Sequence, residues 1–223
     1  MDRAQRARLE QYADLLARAP LNLVARADRD DVWGRHVAEA VLVVEALACR
    51  DGDRWLDLGT GGGLPGVVLA VLRPSVHVTM LDARGKKARA VQGFIEALGL
   101  PNATALAGRA EALARDPEHR GGYDGVISRA VGRLAAVAEL SRGFVGPAGR
   151  VVAVRGDGAA AELAQAVDGL KTMGLAGSQC LGIAGAPRAT NLVTMQAMGP
   201  APAWLPRKDG IPQSAPIGGA PAE

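Results

Sequence analysis

The chain is short of cysteine, histidine and aromatic residues, and it has no long uncharged apolar run. Its 223 residues include two cysteines, Cys49 and Cys180, three histidines and 3% aromatics. Two isolated thiols make neither a disulfide framework nor a four-ligand zinc site, and they point to a reducing compartment. Both are expected to be small core residues. So few aromatics argue against a single-strand binder built on stacking platforms. No segment approaches the ~20 apolar residues of a membrane span. Met1-Asp2-Arg3-Ala4-Gln5-Arg6 lacks the apolar core of a secretory signal. A cytoplasmic protein without a membrane partner is the expectation.

The net charge is only +3, yet almost all of the 26 basic residues are arginine. Arginine forks match phosphate geometry and stay charged when partly buried, which suits a nucleic-acid partner. A coding bias toward arginine and alanine would give the same count.

The most informative segment runs Trp55-Leu56-Asp57-Leu58-Gly59-Thr60-Gly61-Gly62-Gly63-Leu64-Pro65-Gly66. An apolar strand ends in an acid, breaks into glycines and resumes as the apolar run Val67–Leu72. Glycines between a strand and a helix let backbone come very close to a bound nucleotide. About 20 residues on, the strand Val78–Leu81 ends at Asp82, placed to accept hydrogen bonds from ribose hydroxyls. The spacing Gly59-x-Gly61-x-Gly63 is not the dinucleotide fingerprint, and Asp57 would repel a pyrophosphate. A carboxylate there suits a ligand with an amino acid and a cationic sulfonium, S-adenosylmethionine. No lysine follows the glycines, so a phosphate-cradling Walker loop is excluded.

Periodicity predicts helices over 7–18 (Leu9, Tyr12 and Leu16 on one face) and from Asp30 or Asp31 to 48 (Val37, Val41, Val44, Ala48). Strands follow at 54–58, 76–81, 103–107, 123–127, 150–154, 176–183 and 190–197. Helices intervene to Leu72, over 84–98, at 109–113, over 134–145 and over 159–173. The fold class is α/β: a Rossmann-like, mainly parallel sheet with helices on both faces. Expected divisions are an N-terminal helical extension (1–50), the Rossmann-like domain (51–198) and a Pro/Gly-rich mobile tail or lid (199–223). Ligands of such sheets lie outside the carboxyl ends of the strands, where strand order reverses. Residues 57–63, Asp82, 108–111 and 128–133 should therefore surround one crevice.

These motifs, in this order, resemble the bacterial small-subunit ribosomal RNA guanine-N7 methyltransferase family over nearly the whole chain. Leu21-Asn22-Leu23 and Arg35-His36 match its N-L-T and R-H elements, and Asp57–Gly66 matches D-x-G-T/S-G-x-G-F/L-P-G. Leu81-Asp82-Ala83-Arg84-Gly85-Lys86-Lys87, Arg109-Ala110-Glu111, Ser128-Arg129-Ala130 and Pro206-Arg207-Lys208-Asp209-Gly210-Ile211-Pro212 match four more. Departures are Glu39-Ala40 for Asp-Ser, Ala83 for serine and Arg155-Gly156 for Lys-Gly; the last puts fine RNA contacts in doubt. The resemblance implies S-adenosylmethionine as cofactor, held at Gly59, Leu64, Ala110, Glu111 and Arg129. The residue reading adds Asp57, Gly61, Gly63 and Asp82.

Guanine N7 carries a lone pair and no proton, so methyl transfer to it needs alignment rather than a base. The chain agrees by omission. It has no Asn/Asp-Pro-Pro-Tyr/Phe motif for an exocyclic amine, and no cysteine after strand four or five for covalent attack on a pyrimidine. Arg129 is the candidate catalytic residue, with a surface ion pair as its structural alternative. His36 is expected to be structural. Candidate RNA contacts are Arg35, Arg84, Lys86, Lys87, Arg133, Arg155, Arg207 and Lys208. The expected partner is ribosomal RNA or the small subunit, met by a monomer. The alternatives are a same-fold methyltransferase acting on a small molecule or protein, and a non-catalytic assembly factor.

Overall fold

α1 (Arg3–Arg18) begins with a reciprocal cap in which Asp2 accepts from the Gln5 amide and the Gln5 side chain accepts from the Asp2 amide. Its apolar face of Leu9, Tyr12, Ala13 and Leu16 is buried, as the spacing predicts. The second expected helix is irregular at first. A 3₁₀ turn (Arg26–Asp31) and a π-helical turn (Trp33–Val37) precede α2 (Ala38–Ala46). The helix ends two residues early, so Val43 and Val44 carry the buried face and Ala48 lies outside it, exposed.

A computed structural model describes residues 1–218. The alternating pattern then unfolds in order: β1 (Arg54–Leu58), α3 (Gly66–Leu72), β2 (His77–Asp82), α4 (Gly85–Leu98), β3 (Ala103–Ala107), α5 (Ala110–Leu113), β4 (Tyr123–Arg129) and α6 (Leu134–Arg142). β5 (Val145–Arg155), α7 (Ala159–Thr172), β6 (Leu175–Gly182), β7 (Asn191–Ala197) and α8 (Ile211–Ser214) follow. The seven strands form one sheet in the order β3-β2-β1-β4-β5-β7-β6. Every pairing from β3 to β5 is parallel; β7 is antiparallel to both β5 and β6. Strand order reverses between β1 and β4, so that pair marks the ligand crevice.

Two apolar layers sandwich the sheet. On one side Leu9, Tyr12 and Leu16 of α1 join Val67–Leu72 of α3 and Val91, Phe94 and Ile95 of α4. On the other, Leu134, Val137 and Leu140 of α6 join Leu170 of α7 and Leu205 near the C-terminus. β1 is buried on both faces, with Trp55 and Leu56 inaccessible to solvent. Gly125 on β4 lies where a side chain would collide with the Trp55 ring, so two adjacent strands depend on that one hydrogen.

Three expectations need correction. α6 stops at Arg142 and β5 starts at Val145, earlier than the Gly146-Pro147 break suggests. The register jumps from Tyr123↔Val145 to Gly125↔Arg150, so the Gly-Pro segment is a bulge inside the strand rather than a stop before it. Cys180 is exposed because β6 is the sheet edge with its outer half uncovered, and Cys49 is only half-buried in the connection between α2 and β1. The described part of the tail, 199–218, is docked rather than mobile: Leu205, Pro206, Pro212 and Pro216 are buried against the domain. The remaining tail, 219–223, lies outside the described residues.

Candidate cofactor and acceptor site

The glycine turn is built around Asp57. Its Oδ2 accepts from the Thr60 hydroxyl (2.6 Å) and the Gly66 amide (2.9 Å), tying the strand end to the first residue of α3. A side chain at Gly66 would collide with that carboxylate and with Met80, so the closure demands glycine. Burial pushes the Asp57 carboxyl up to about 6, although the Thr60 and Gly66 bonds and the Arg129 charge pull it down. Its Oδ1 is buried without a partner. A leftover anionic acceptor beneath the crevice fits a cationic ligand and not a pyrophosphate.

The neighbouring pieces lock together. Tyr12, wholly buried, donates to the Gly62 carbonyl at 2.8 Å, so α1 braces the turn from behind. Asp82 accepts from the Gly61 amide (3.0 Å) through one oxygen and from the Arg84 amide (2.8 Å) through the other. A carboxylate offers about four acceptor sites, so capacity for ribose hydroxyls remains.

A cavity of about 90 Å³ opens beside this turn, lined by Gly59, Leu81, Ala83, Gly108, Ala110, Glu111, Val131 and Gln213 among others. Of the expected cofactor residues, Gly59, Ala110 and Glu111 line it. Asp57, Gly61, Gly63, Leu64 and Asp82 form the structure behind it or beside it, outside the lining. Gly59 has φ +72°, and a Cβ there would strike the Val131 side chain. Val131 thus lies across the glycine turn, and the cavity is smaller than the ~300–1,000 Å³ of ordinary ligand pockets.

Past residues 129–131 lies a second, larger cavity of about 380 Å³ at the ends of β4 and β5. Its wall includes His36, Glu39, Arg129, Arg155, Asp157 and Arg188. Arg129 belongs here. Its Nη1 donates to Glu39 Oε2 at 2.8 Å, so its ion-pair partner comes from α2. Glu39 is nearly inaccessible and also accepts from Arg188 and from the Thr190 hydroxyl. Burial alone would raise its pKa, but these donors and the two guanidinium charges hold it below the usual carboxylate range. Glu39 was visible in the sequence only as a departure from a motif. Arg188 and Thr190 gave no signal, because an ion pair between distant segments leaves no local spacing.

His36 also lines this cavity. Its Nε2 meets Asp28 at 3.0 Å, and burial together with the Arg129 charge lowers its pKa despite Asp28. The neutral ring is held in place, in keeping with a structural role.

The expected RNA contacts divide. Arg84 and Lys86 are exposed and, with Lys87, Leu21 and Asn22, line a depression of about 360 Å³ at the start of α4. Lys208 is exposed, and Arg35 is exposed 3.4 Å from Asp28. Arg133 is half-buried where α6 begins, engaged in an interaction of its own. Two others are turned inward, against expectation. Arg155 grips Glu162 through Nε and Nη2 and donates Nη1 to the Gly132 carbonyl. Arg207 grips Glu139, which has no exposed surface, and donates to the Ala215 carbonyl. Guanidiniums saturated by internal acceptors are not available to phosphates.

Among the described residues there is no cluster fit to hold a metal ion, and no helix is long and apolar enough to cross a membrane.

Residues 5–187 match the family described as GidB, rRNA small subunit methyltransferase G. The chain is 35% identical to a ribosomal RNA small subunit methyltransferase G of Deinococcus radiodurans, over 93% of this chain and 85% of that one. A Sorangium cellulosum protein of the same name is 41% identical, over 74% of this chain and 70% of its own. Among solved structures, Aeropyrum pernix fibrillarin with natively bound S-adenosyl-L-methionine superposes with TM-score 0.55 at 18% identity, covering 73% of this chain and 76% of that one. A predicted O-methyltransferase of Agrobacterium tumefaciens gives TM-score 0.58 at 19% identity, covering 70% and 79%. The structural likenesses establish the Rossmann-like methyltransferase fold; with the match along most of the sequence, they leave the chain a member of the GidB family of small-subunit rRNA methyltransferases.

Proposed function

We propose that the protein transfers a methyl group from S-adenosylmethionine to N7 of a guanine in small-subunit ribosomal RNA, acting as a cytoplasmic monomer. The observation that carries this reading is the pair of cavities flanking residues 129–131 at the strand-order switch. One is narrow, lined with glycine and apolar groups, next to the turn shaped by a buried acid. The other is wider and rimmed with charge. A donor and an acceptor seated on either side would meet at Arg129.

S-adenosylmethionine, when bound, supplies an electrophilic methyl on a cationic sulfur. The chain's own task is alignment and exclusion of water. Gly59 would give close backbone approach, Ala110 and Glu111 would flank the adenine, and Asp82 would meet the ribose. Gly61, Gly63 and Leu64 keep the turn in shape, and Asp57 opposes the positive end. Arg129, positioned by Glu39, would touch the reacting groups. No side chain has to remove a proton, which is consistent with His36 being committed to Asp28. Arg84, Lys86 and Lys87 form the electrostatic footing for RNA backbone, with Arg35 and Lys208 further along. In this reading residues 1–50 are a helical extension bracing the methyltransferase domain, 51–198.

The test is to incubate the protein and labelled cofactor with small subunits lacking the modification, then map the labelled base. Label at N7 of a single guanine is expected; absence of label from small-subunit RNA overturns the reading. Binding to those subunits should weaken steeply with salt. Lys86→Ala should reduce the log–log salt slope by about one phosphate contact's worth.

A further inference from the structure

A cavity of about 660 Å³, larger than those described above, opens at the opposite end of the sheet, where β1, β4 and β5 begin. Arg54 in its wall stands roughly 15 Å along β1 from Gly59 at about 3.3 Å per strand residue. The β5 bulge shapes it. Residues 146–149 fall between the Tyr123↔Val145 and Gly125↔Arg150 pairings, and Arg150 re-enters the ladder as part of the cavity wall. Gln196 holds the bulge, its Nε2 donating to the Ala148 (2.8 Å) and Gly149 (2.9 Å) carbonyls. With Gly121 and Gly122, the bulge gives a stretch of wall that carries nothing longer than a proline ring.

Three arginines share this cavity: Arg50, Arg54 and Arg150. Arg50 is exposed. Arg54 lies over the Tyr123 ring, 5.3 Å from its centroid. Arg150 lies over the Trp55 ring at 5.5 Å and donates to the Ala48 carbonyl. Stacking fixes the plane of a guanidinium without consuming its N–H donors. Two acids are also present. Asp53 Oδ2 accepts from the Arg50 amide (2.9 Å) and the Trp55 indole (3.3 Å), and Asp124 Oδ2 accepts from the Arg54 amide (2.8 Å). Among the described residues none of the three guanidiniums is ion-paired. Each carboxylate keeps acceptor capacity to spare.

A ligand that suits this set offers anionic oxygens to guanidinium forks and hydroxyl donors to carboxylates. A ribose-phosphate strand carries both at every residue, a phosphodiester and a 2′-hydroxyl. Deoxyribose lacks the hydroxyl. We infer that this cavity binds the RNA substrate's backbone at a point remote from the methylated base, with Arg50, Arg54 and Arg150 taking phosphates and Asp53 and Asp124 taking 2′-hydroxyls. The inference rests on the RNA reading above. It gives the enzyme a second foothold, so an extended or folded RNA is gripped at both ends of the sheet and a short fragment at one.

Binding of the full chain to small subunits lacking the modification, measured across salt, tests this. Arg50→Ala/Arg54→Ala should weaken binding about tenfold and lower the log–log salt slope by about one to two. Arg50→Glu leaves both stacked guanidiniums in place and should weaken binding at least as much. Because Arg50 is exposed and far from the glycine turn, Arg50→Glu should keep the wild-type melting temperature and affinity for S-adenosylhomocysteine. An RNA strand should compete for wild type better than a 2′-deoxy strand of the same sequence; equal competition would overturn the assignment. Unchanged subunit affinity and slope in both variants would overturn it while leaving the methyltransferase reading standing. Inorganic triphosphate bound by wild type and lost in Arg50→Glu, with subunit affinity intact, would make the cavity a small-anion site and overturn it too. Failure of wild type to bind small-subunit RNA would bring down both readings.

Discussion

Arg129 and Glu39 meet at 2.8 Å in the wall of the cavity at the ends of β4 and β5, one from the end of β4 and the other from α2. The same carboxylate holds Arg188, so one buried acid orders two guanidiniums. Glu39→Ala removes the carboxylate from both cations and leaves the Thr190 hydroxyl only the Arg188 carbonyl. Losing a buried pair costs about 3–5 kcal/mol, but Arg188 is 53% exposed and water reclaims part of that. A loss of about 1–3 kcal/mol is expected by urea denaturation, with methyl transfer down at least tenfold. Arg129→Ala should abolish most transfer with a smaller loss of stability. Normal turnover in either variant would remove the pair from the reaction.

Asp57 should make stability fall with rising pH. Its pKa is about 6 in the folded protein against 3.8 for the unperturbed group. The folded state therefore binds the proton more tightly. The resulting stabilisation is full below pH 3.8 and is lost as pH rises through 6. A shift of two units corresponds to on the order of 3 kcal/mol. Asp57→Asn keeps an acceptor for Thr60 and Gly66 and cannot ionise, so it should flatten that part of the profile. Thermal melts of both proteins between pH 4 and 8 check this; parallel profiles would refute it.

The glycine turn was legible because its chemistry is local: an acid, three spaced glycines and a resumed apolar run specify a strand, a turn and a buried helix by adjacency. The same holds for Leu9, Tyr12 and Leu16, whose spacing marks one helical face. Glu39, Arg129 and Arg188 come from three separate segments, and a charge has no periodicity that announces its partner. The C-terminal strap was misread for a related reason. Proline and glycine describe a chain that is not helical, which is true of 199–210, but they say nothing of whether it is docked. Glu139, in the middle of an apolar helix face, was the available clue, since a carboxylate buried there requires a cation from elsewhere.

Arg207→Ala should therefore act as a folding mutation rather than an RNA-binding one. It leaves Glu139 as an uncompensated charge with no exposed surface. A loss of about 3 kcal/mol or more is expected, with tryptic cleavage appearing near Lys208. Pairing it with Glu139→Gln should recover much of the loss, because the amide needs no counter-charge. If Arg207→Ala instead kept its melting temperature and lost RNA affinity, the inward ion pair would not be its role.

Ala130 supplies the last prediction. It is the one non-glycine residue with positive φ among those described, at +58°, and it joins Arg129 to the Val131 that covers Gly59. An L-residue in this conformation costs about 1–2 kcal/mol, and glycine escapes that cost while adding some unfolded-state entropy. Ala130→Gly should then stabilise the free protein by about 0.5–1 kcal/mol, whereas Ala130→Val should destabilise it by more than 1 kcal/mol, about the strain of a β-branched residue there. The cavity under Val131 is about 90 Å³, too small for an entire adenosyl amino acid. Binding must move Val131, so amide exchange at 130–132 should change on adding cofactor while that of β1 does not. Unaltered exchange in this loop at saturating cofactor would mean that the ligand enters without disturbing it and sits elsewhere.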